Sequence, residues 1–223
     1  MAPALGNNGT PAALMKIARD GYPYVFSAAF LTLAAWLIGW LGLAAVFVIL
    51  TVGFLAFFRD PERIPPGGEG LILSPADGRV VNVVKVAMGP LMEQAETRVS
   101  IFLSPLDVHI NRAPVAGNVD DVQYERGKFF AAYRDEASER NEQNALRLVD
   151  SQGRQVSVVQ IAGVLARRIV CRVKKGDFLE RGARFGMIMF GSRTDLYLPR
   201  GSRIDVAEGQ RVKGGETIIG RFV

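Results

Sequence analysis

The chain is poor in the side chains that most enzymes use for chemistry. Its 223 residues include one cysteine, Cys171, and one histidine, His109. A lone cysteine forms no internal disulfide, and together with a lone histidine it excludes a zinc site of the usual kind, so no metal is expected. Cys171 lies in Arg168-Ile-Val-Cys-Arg-Val, which reads as a buried strand, and its free thiol suits a cytoplasmic setting. Gly-x-Ser-x-Gly, His-Glu-x-x-His and P-loop patterns are missing. So is any dense basic stripe with interleaved aromatics, which argues against a nucleic-acid partner. Charge is missing as well: no residue from Gly21 to Phe58 carries any.

That apolar run is too long and too weakly basic at its start to be a signal peptide. As one helix it would reach ~57 Å, well past a hydrocarbon core of ~30 Å. Two helices over about 22–58 fit better, turning at Leu37-Ile-Gly-Trp-Leu-Gly42. Tyr22, Tyr24 and Trp36 suit the membrane interface, while Lys16 and Arg19 before the run and Arg59 and Arg63 after it favour both ends on the cytoplasmic side. Arms of ~17 residues leave a full span and a shallow re-entrant hairpin both open. The net charge of +5 suits an anionic lipid surface, or a merely solvated one. The expected localisation is the cell membrane. The organisation expected is a membrane-associated segment, 1–58, followed by a β-rich domain, 59–223.

Arg59-Asp-Pro-Glu-Arg-Ile-Pro-Pro-Gly-Gly68 is a linker, because its prolines and glycines break helices. Beyond it, short apolar runs alternate with glycine turns. Pro75-Ala-Asp-Gly-Arg-Val80 and Pro114-Val-Ala-Gly-Asn-Val119 share the pattern Pro-x-x-Gly-x-Val. Gly176–Gly182 and Gly209–Gly215 share Gly-x-x-(Leu/Val)-x-x-Gly. These echoes predict a mainly β fold, a sandwich or barrel of pseudo-symmetric hairpins preceded by the apolar helical hairpin. Arg134–Asn144 is highly polar and reads as a surface loop or short exposed helix, with Phe129 and Phe130 just before it facing either lipid or core.

Three segments concentrate polar groups between apolar strands: Pro75-Ala-Asp-Gly78, Phe102 to Pro114, and Phe190 to Pro199. In the third, the apolar strand Gly186-Met-Ile-Met-Phe-Gly runs straight into Ser192. The chain holds an internal control, because Gly201-Ser202 sits between Arg200 and Arg203 in an ordinary turn context. A serine hydroxyl can attack the carbonyl just before it. Glycine at 191 leaves that approach unhindered, and attack within one residue needs no encounter. In the second segment, an extended backbone would point Asp107 and His109 to one face, where a carboxylate sets an imidazole's tautomer.

Taken in order, Asp60-Pro-Glu-Arg63, Pro75-Ala-Asp-Gly78, Leu103-Ser-Pro-Leu-Asp-Val-His-Ile-Asn-Arg112, Gly127-Lys-Phe…Ala137-Ser-Glu139 and Phe190-Gly-Ser-Arg193 resemble the short form of the phosphatidylserine decarboxylase family, through nearly all of 59–223. The resemblance implies a proenzyme that cuts itself between Gly191 and Ser192 into 1–191 (the β chain) and 192–223 (the α chain), which stay together as a heterodimer. It implies a covalent pyruvoyl cofactor made from Ser192 through an ester and a dehydroalanine. The substrate amine would form a Schiff base on it, and carbon dioxide would leave into that electron sink. It implies a phospholipid substrate, phosphatidylserine, converted to phosphatidylethanolamine at a membrane, with higher oligomers open. Asp77, Asp107 and His109 are the candidate catalytic partners of Ser192. One departure is Arg112, which stands where many members carry a second histidine. Either His109 serves both stages, or Asp77 or Asp107 supplies the base for self-cleavage. Two alternatives are the same chemistry on archaetidylserine and a non-enzymatic carrier domain, although Met187-Ile-Met189 lacks the carrier lysine.

Overall fold

The computed structural model describes residues 16–127, 141–163, 168–189 and 192–223. The polar segment 134–144 and Phe129 and Phe130 fall mostly or wholly outside these. The chain divides into two compact units, Met1–Glu62 and Arg63–Val223.

The first unit is a helical hairpin. Helix α1 (Tyr22–Leu37) carries Pro23 in its first turn, where a missing N–H costs nothing. Helix α2 (Leu41–Phe57) follows a turn in which Gly39 takes φ +84°, inside the predicted 37–42 bend. Ala28, Ala35 and Ala44 are buried, and small side chains let helix backbones approach. Tyr24 stacks on Phe58 at 5.3 Å. The ends are tied together: Ala18 N donates to Phe58 O (2.8 Å) and Asp60 N to Lys16 O (2.7 Å). Phe26, Phe30, Trp36, Trp40 and Ile49 are among many exposed apolar side chains, so both helices are apolar all round. At 16 and 17 residues the helices measure ~24–26 Å. Among the described residues, no helix is long and apolar enough to cross a membrane.

The second unit is built almost wholly of antiparallel strands. In its first stretch come β1 (Leu71–Leu73), β2 (Gly78–Lys85) and β3 (Thr97–Leu103). A second stretch holds β4 (Ile110–Arg112), β5 (Gly117–Glu125), β6 (Gln143–Val149), β7 (Gln155–Ile161), β8 (Ile169–Cys171), β9 (Phe178–Leu179) and β10 (Arg184–Ile188). The chain closes with β11 (Ser192–Leu198), β12 (Ser202–Ile204), β13 (Arg211–Val212) and β14 (Ile218–Phe222). One sheet of eight strands, ordered β13-β2-β3-β11-β7-β6-β5-β9, curls into a half-barrel. Two three-stranded sheets, β1-β14-β12 and β4-β10-β8, accompany it.

The sequence echoes become a pseudo-two-fold. Strands β1 and β2 recur as β4 and β5, and β8 and β9 recur as β12 and β13. The bulge in β2 between Val80 and Asn82 recurs in β5 between Val119 and Asp121. The halves cross-link reciprocally: Arg112 N donates to Pro75 O and Leu73 N to Pro114 O, both at 2.9 Å. One half is thus β4–β10, and it is inserted into the other, which is β1–β3 completed by β11–β14. Ile72, Val99, Leu146, Phe185, Leu196 and Ile219 anchor the shared core. Cys171 ends β8 only half-buried, less enclosed than its sequence context suggests.

Candidate active site

Ser192 opens β11 at the point where the chain returns from the inserted half. It lies opposite Leu103 of β3 and has no solvent exposure. Its Oγ is buried with no hydrogen-bond partner among the described residues, as are the hydroxyls of Ser100, Ser157 and Ser202, so its place at the start of β11 is what sets it apart. Gly191 lies outside the described residues. The comparison serine is differently placed: Gly201 takes φ +78° in a turn, and Ser202 opens the edge strand β12, opposite Phe222.

His109 is fully buried just before β4, and its carbonyl accepts from Ile188 N (3.2 Å), so it sits in register with the end of β10. Its Nδ1 lies 2.9 Å from the main-chain oxygen of Asp107. A carbonyl only accepts, so Nδ1 carries a proton, and in the neutral form of the ring the lone pair is on Nε2.

The Asp107 carboxylate does not supply that contact. Asp107 closes a turn, its N–H donating to Ser104 O (2.9 Å), and its carboxylate accepts from Ser104 N (2.8 Å) and from Arg211 Nη1 (3.1 Å). The two-residue alternation that would aim Asp107 and His109 together holds only inside a strand, and Asp107 precedes it.

Asp77 is held equally firmly. Arg63 grips it with two hydrogen bonds, Nη1 to Oδ1 at 2.5 Å and Nη2 to Oδ2 at 2.7 Å, and Gly214 N donates to Oδ1 at 2.8 Å. Asp77 therefore ties the linker and the loop before β14 to the turn before β2. From the sequence, Arg63 is a cation flanking the apolar run and the last residue of the Asp60-Pro-Glu-Arg63 motif, with no partner assigned to it. Arg112 is buried and donates from Nη1 to Gly182 O (3.0 Å), a bond within the inserted half that ties β4 to the turn before β10.

Sequence reasoning missed a set of buried amides that ends on Thr194, two places after Ser192. Asn111 Nδ2 donates to Thr194 Oγ1 (3.1 Å), Gln160 Nε2 to Asn111 Oδ1 (2.9 Å), and Asn144 Nδ2 to Gln160 Oε1 (3.0 Å). The position of Asn111, two places after His109, is the one sequence hint. On the other face of β11, Arg193 and Asp195 form a fully buried pair at 2.7 Å. Among the described residues no group of three His, Cys, Asp or Glu could hold a metal ion.

The arrangement is a buried serine at a strand start and a buried histidine of fixed tautomer, in register with the strand that leads to that serine, in a doubled β fold. A profile of the phosphatidylserine decarboxylase family matches residues 50–220. A phosphatidylserine decarboxylase proenzyme of Granulibacter bethesdensis is 53% identical over 85% of this chain and 76% of its own length. Proenzymes of the same name from Geotalea uraniireducens and Nitratidesulfovibrio vulgaris are 45% and 46% identical, covering 96% and 93% of this chain and 98% and 95% of theirs. The chain belongs to the phosphatidylserine decarboxylase family. It is an enzyme of the pyruvoyl-dependent decarboxylase kind, which removes the carrier-domain reading.

Proposed function

We propose that this chain decarboxylates phosphatidylserine to phosphatidylethanolamine and carbon dioxide after cutting itself between Gly191 and Ser192. The observation that carries the reading is the place of Ser192: fully buried at the start of the central strand β11, whereas Ser202 is half-buried at the start of an edge strand. In the first step Ser192 Oγ attacks the Gly191 carbonyl carbon. The C–O bond of an ester forms, the peptide C–N bond breaks, and the hydroxyl proton passes by way of a base to the departing amine. Loss of the Cα proton then breaks the Cβ–Oγ bond, releasing the Gly191 carboxylate and leaving dehydroalanine. Water converts that to ammonia and a pyruvoyl group on residue 192.

The residues present suit this group, because Ser192 is both its source and its attachment. A pyruvoyl group there supplies an electron sink for the substrate's departing carboxylate. His109 Nε2 is the base we assign to both stages, its tautomer fixed by the Asp107 carbonyl. Asp77 and Asp107 act by holding the segments that carry the site. Ser192 itself is fully buried, which shields its hydroxyl from bulk water before the attack.

The two products, 1–191 and 192–223, would remain one heterodimer. In the smaller, β11 runs between β3 and β7, β13 lines β2, and β14 joins β1 to β12. The apolar hairpin, with Lys16, Arg19 and Arg59 at its base, supports attachment to the cell membrane with the decarboxylase domain on the cytoplasmic side. The test is turnover of phosphatidylserine vesicles by the purified enzyme, read as phosphatidylethanolamine by mass spectrometry, beside archaetidylserine vesicles. Formation of phosphatidylethanolamine by wild type and none by Ser192→Ala is expected. Equal turnover by both would overturn the proposal.

A further inference from the structure

We propose that the amide chain Asn144–Gln160–Asn111, ending on Thr194, positions Ser192 for its attack, so that these four are positioning residues for self-cleavage. This rests on the self-cleavage reading above and adds to it.

Asn111, Gln160 and Thr194 have no exposure, and Asn144 has almost none. The bonds run from β6 (Asn144) to β7 (Gln160), across to β4 (Asn111), and back to β11 (Thr194). Asn111 Nδ2 also reaches Pro75 O (3.4 Å), and Gln160 Nε2 reaches Val170 O of β8 (3.3 Å). Gln160 lies flat on β10 because residue 186 is glycine: a Cβ there would stand 2.8 Å from Gln160 Nε2 and 2.3 Å from Val170 O. The chain therefore touches both the strand that leads to the reacting bond and the strand that leaves it.

The link to Ser192 is geometric. Thr194 and Ser192 share one face of β11, two places apart. Asn111 and His109 share one side of the β4 line in the same way, since His109 continues that ladder through its bond from Ile188. The Asn111–Thr194 bond fixes the register of these two strands across the layers. Ser192 stands two places before Thr194 on β11, so a Thr194 side chain held by Asn111 fixes the strand start that carries Ser192. Apolar side chains would fill this space at no desolvation cost, whereas a buried amide chain specifies one arrangement. A serine hydroxyl displaced by a fraction of an ångström loses its line to the carbonyl carbon.

The full-length proenzyme made by cell-free synthesis carries the test, with cutting followed by gel and mass. Thr194→Val keeps the side-chain shape and removes the acceptor. It should slow cutting roughly 10- to 100-fold, while Thr194→Ser stays close to wild type. Hydroxylamine, which cleaves esters, should not cut the stalled Thr194→Val precursor, because the ester has not formed. Wild-type cutting by Thr194→Val, or prompt cleavage of it by hydroxylamine at 191–192, would overturn the proposal. Should Thr194→Val lose its cooperative thermal transition, Thr194→Ala and Thr194→Ser form the comparison: both lack the methyl group and only the second keeps the hydroxyl. Equal rates in that pair overturn it too. A wild-type chain that never cuts defeats the self-cleavage reading itself; a wild-type chain that cuts no faster than Thr194→Val defeats this inference alone.

Discussion

Replacing Asp77 separates an anchor from a chemical group. Its carboxylate meets Arg63 through two short bonds and Gly214 N through a third, with the Arg63 and Asp77 side chains only 6% and 12% exposed. Removing one member of a buried pair costs about 3–5 kcal/mol. Arg63 keeps Gly214 O at 2.6 Å and Glu216 at 3.8 Å, so the lower end applies. The deserted Gly214 N–H adds about 1 kcal/mol. The sum of about 4 kcal/mol corresponds to a melting point lower by roughly 8–16 °C for a chain of this size. The assay is thermal unfolding of Asp77→Ala in the Ser192→Ala background, where cutting cannot confuse the signal. Arg63→Met and the double variant complete a cycle, with a coupling of about 2 kcal/mol or more expected. With Ser192 intact, Asp77→Asn should still cut wherever it is folded. A melting shift under about 2 °C together with a complete loss of cutting would refute the anchor and make Asp77 part of the chemistry.

Three further outcomes follow from the geometry. Gly78→Ala should cost about 3 kcal/mol or more in thermal unfolding, because Gly78 holds φ +149° and a Cβ would stand 2.1 Å from Phe102 O. Burial raises the Asp150 carboxyl, but bonds from Arg154 N–H, its guanidinium and Gln152 N–H outweigh that and hold it below its ordinary value. A depressed carboxyl stabilises the fold above its unfolded value and loses that as pH falls through the folded one. Asp150→Asn should therefore be about 1 kcal/mol less stable at neutral pH, with the gap narrowing as pH falls below the ordinary carboxylate value near 4; a gap that does not narrow on acidification would count against it. His109→Ala should lose roughly 100-fold or more in decarboxylation and slow cutting too, and normal turnover would return His109 to a packing role.

The doubled fold was legible because its signals are local. Pro75–Val80 and Pro114–Val119 each open a strand with the same turn and the same bulge, and Gly176–Gly182 and Gly209–Gly215 each cradle a short edge strand. The sheet order was not legible, since β11 pairs with β3 and β7 from far along the chain. Ser192 could be singled out from its apolar lead-in, and the control at Ser202 indeed occupies an edge strand. The shared face expected of Asp107 and His109 does not form, because a local turn captures the Asp107 carboxylate before the strand begins, leaving its carbonyl for His109. Arg63 and Asp77 are close in the chain, yet a Pro- and Gly-rich linker gives no periodicity from which to pair them. The amide chain was invisible for a plainer reason: Asn111 meets Thr194 and Gln160 from far along the chain, on other strands.

The bond between Gly191 and Ser192 is tested most directly by the intact mass of the purified protein. Two chains are expected, 1–191 and 192–223, the smaller blocked to Edman chemistry because its first residue carries no amine. Ser192→Ala should give one chain, and Ser202→Ala should give the same two as wild type. A single uncut chain with full decarboxylase activity, or a cut that depends on Ser202 and not on Ser192, would contradict the account.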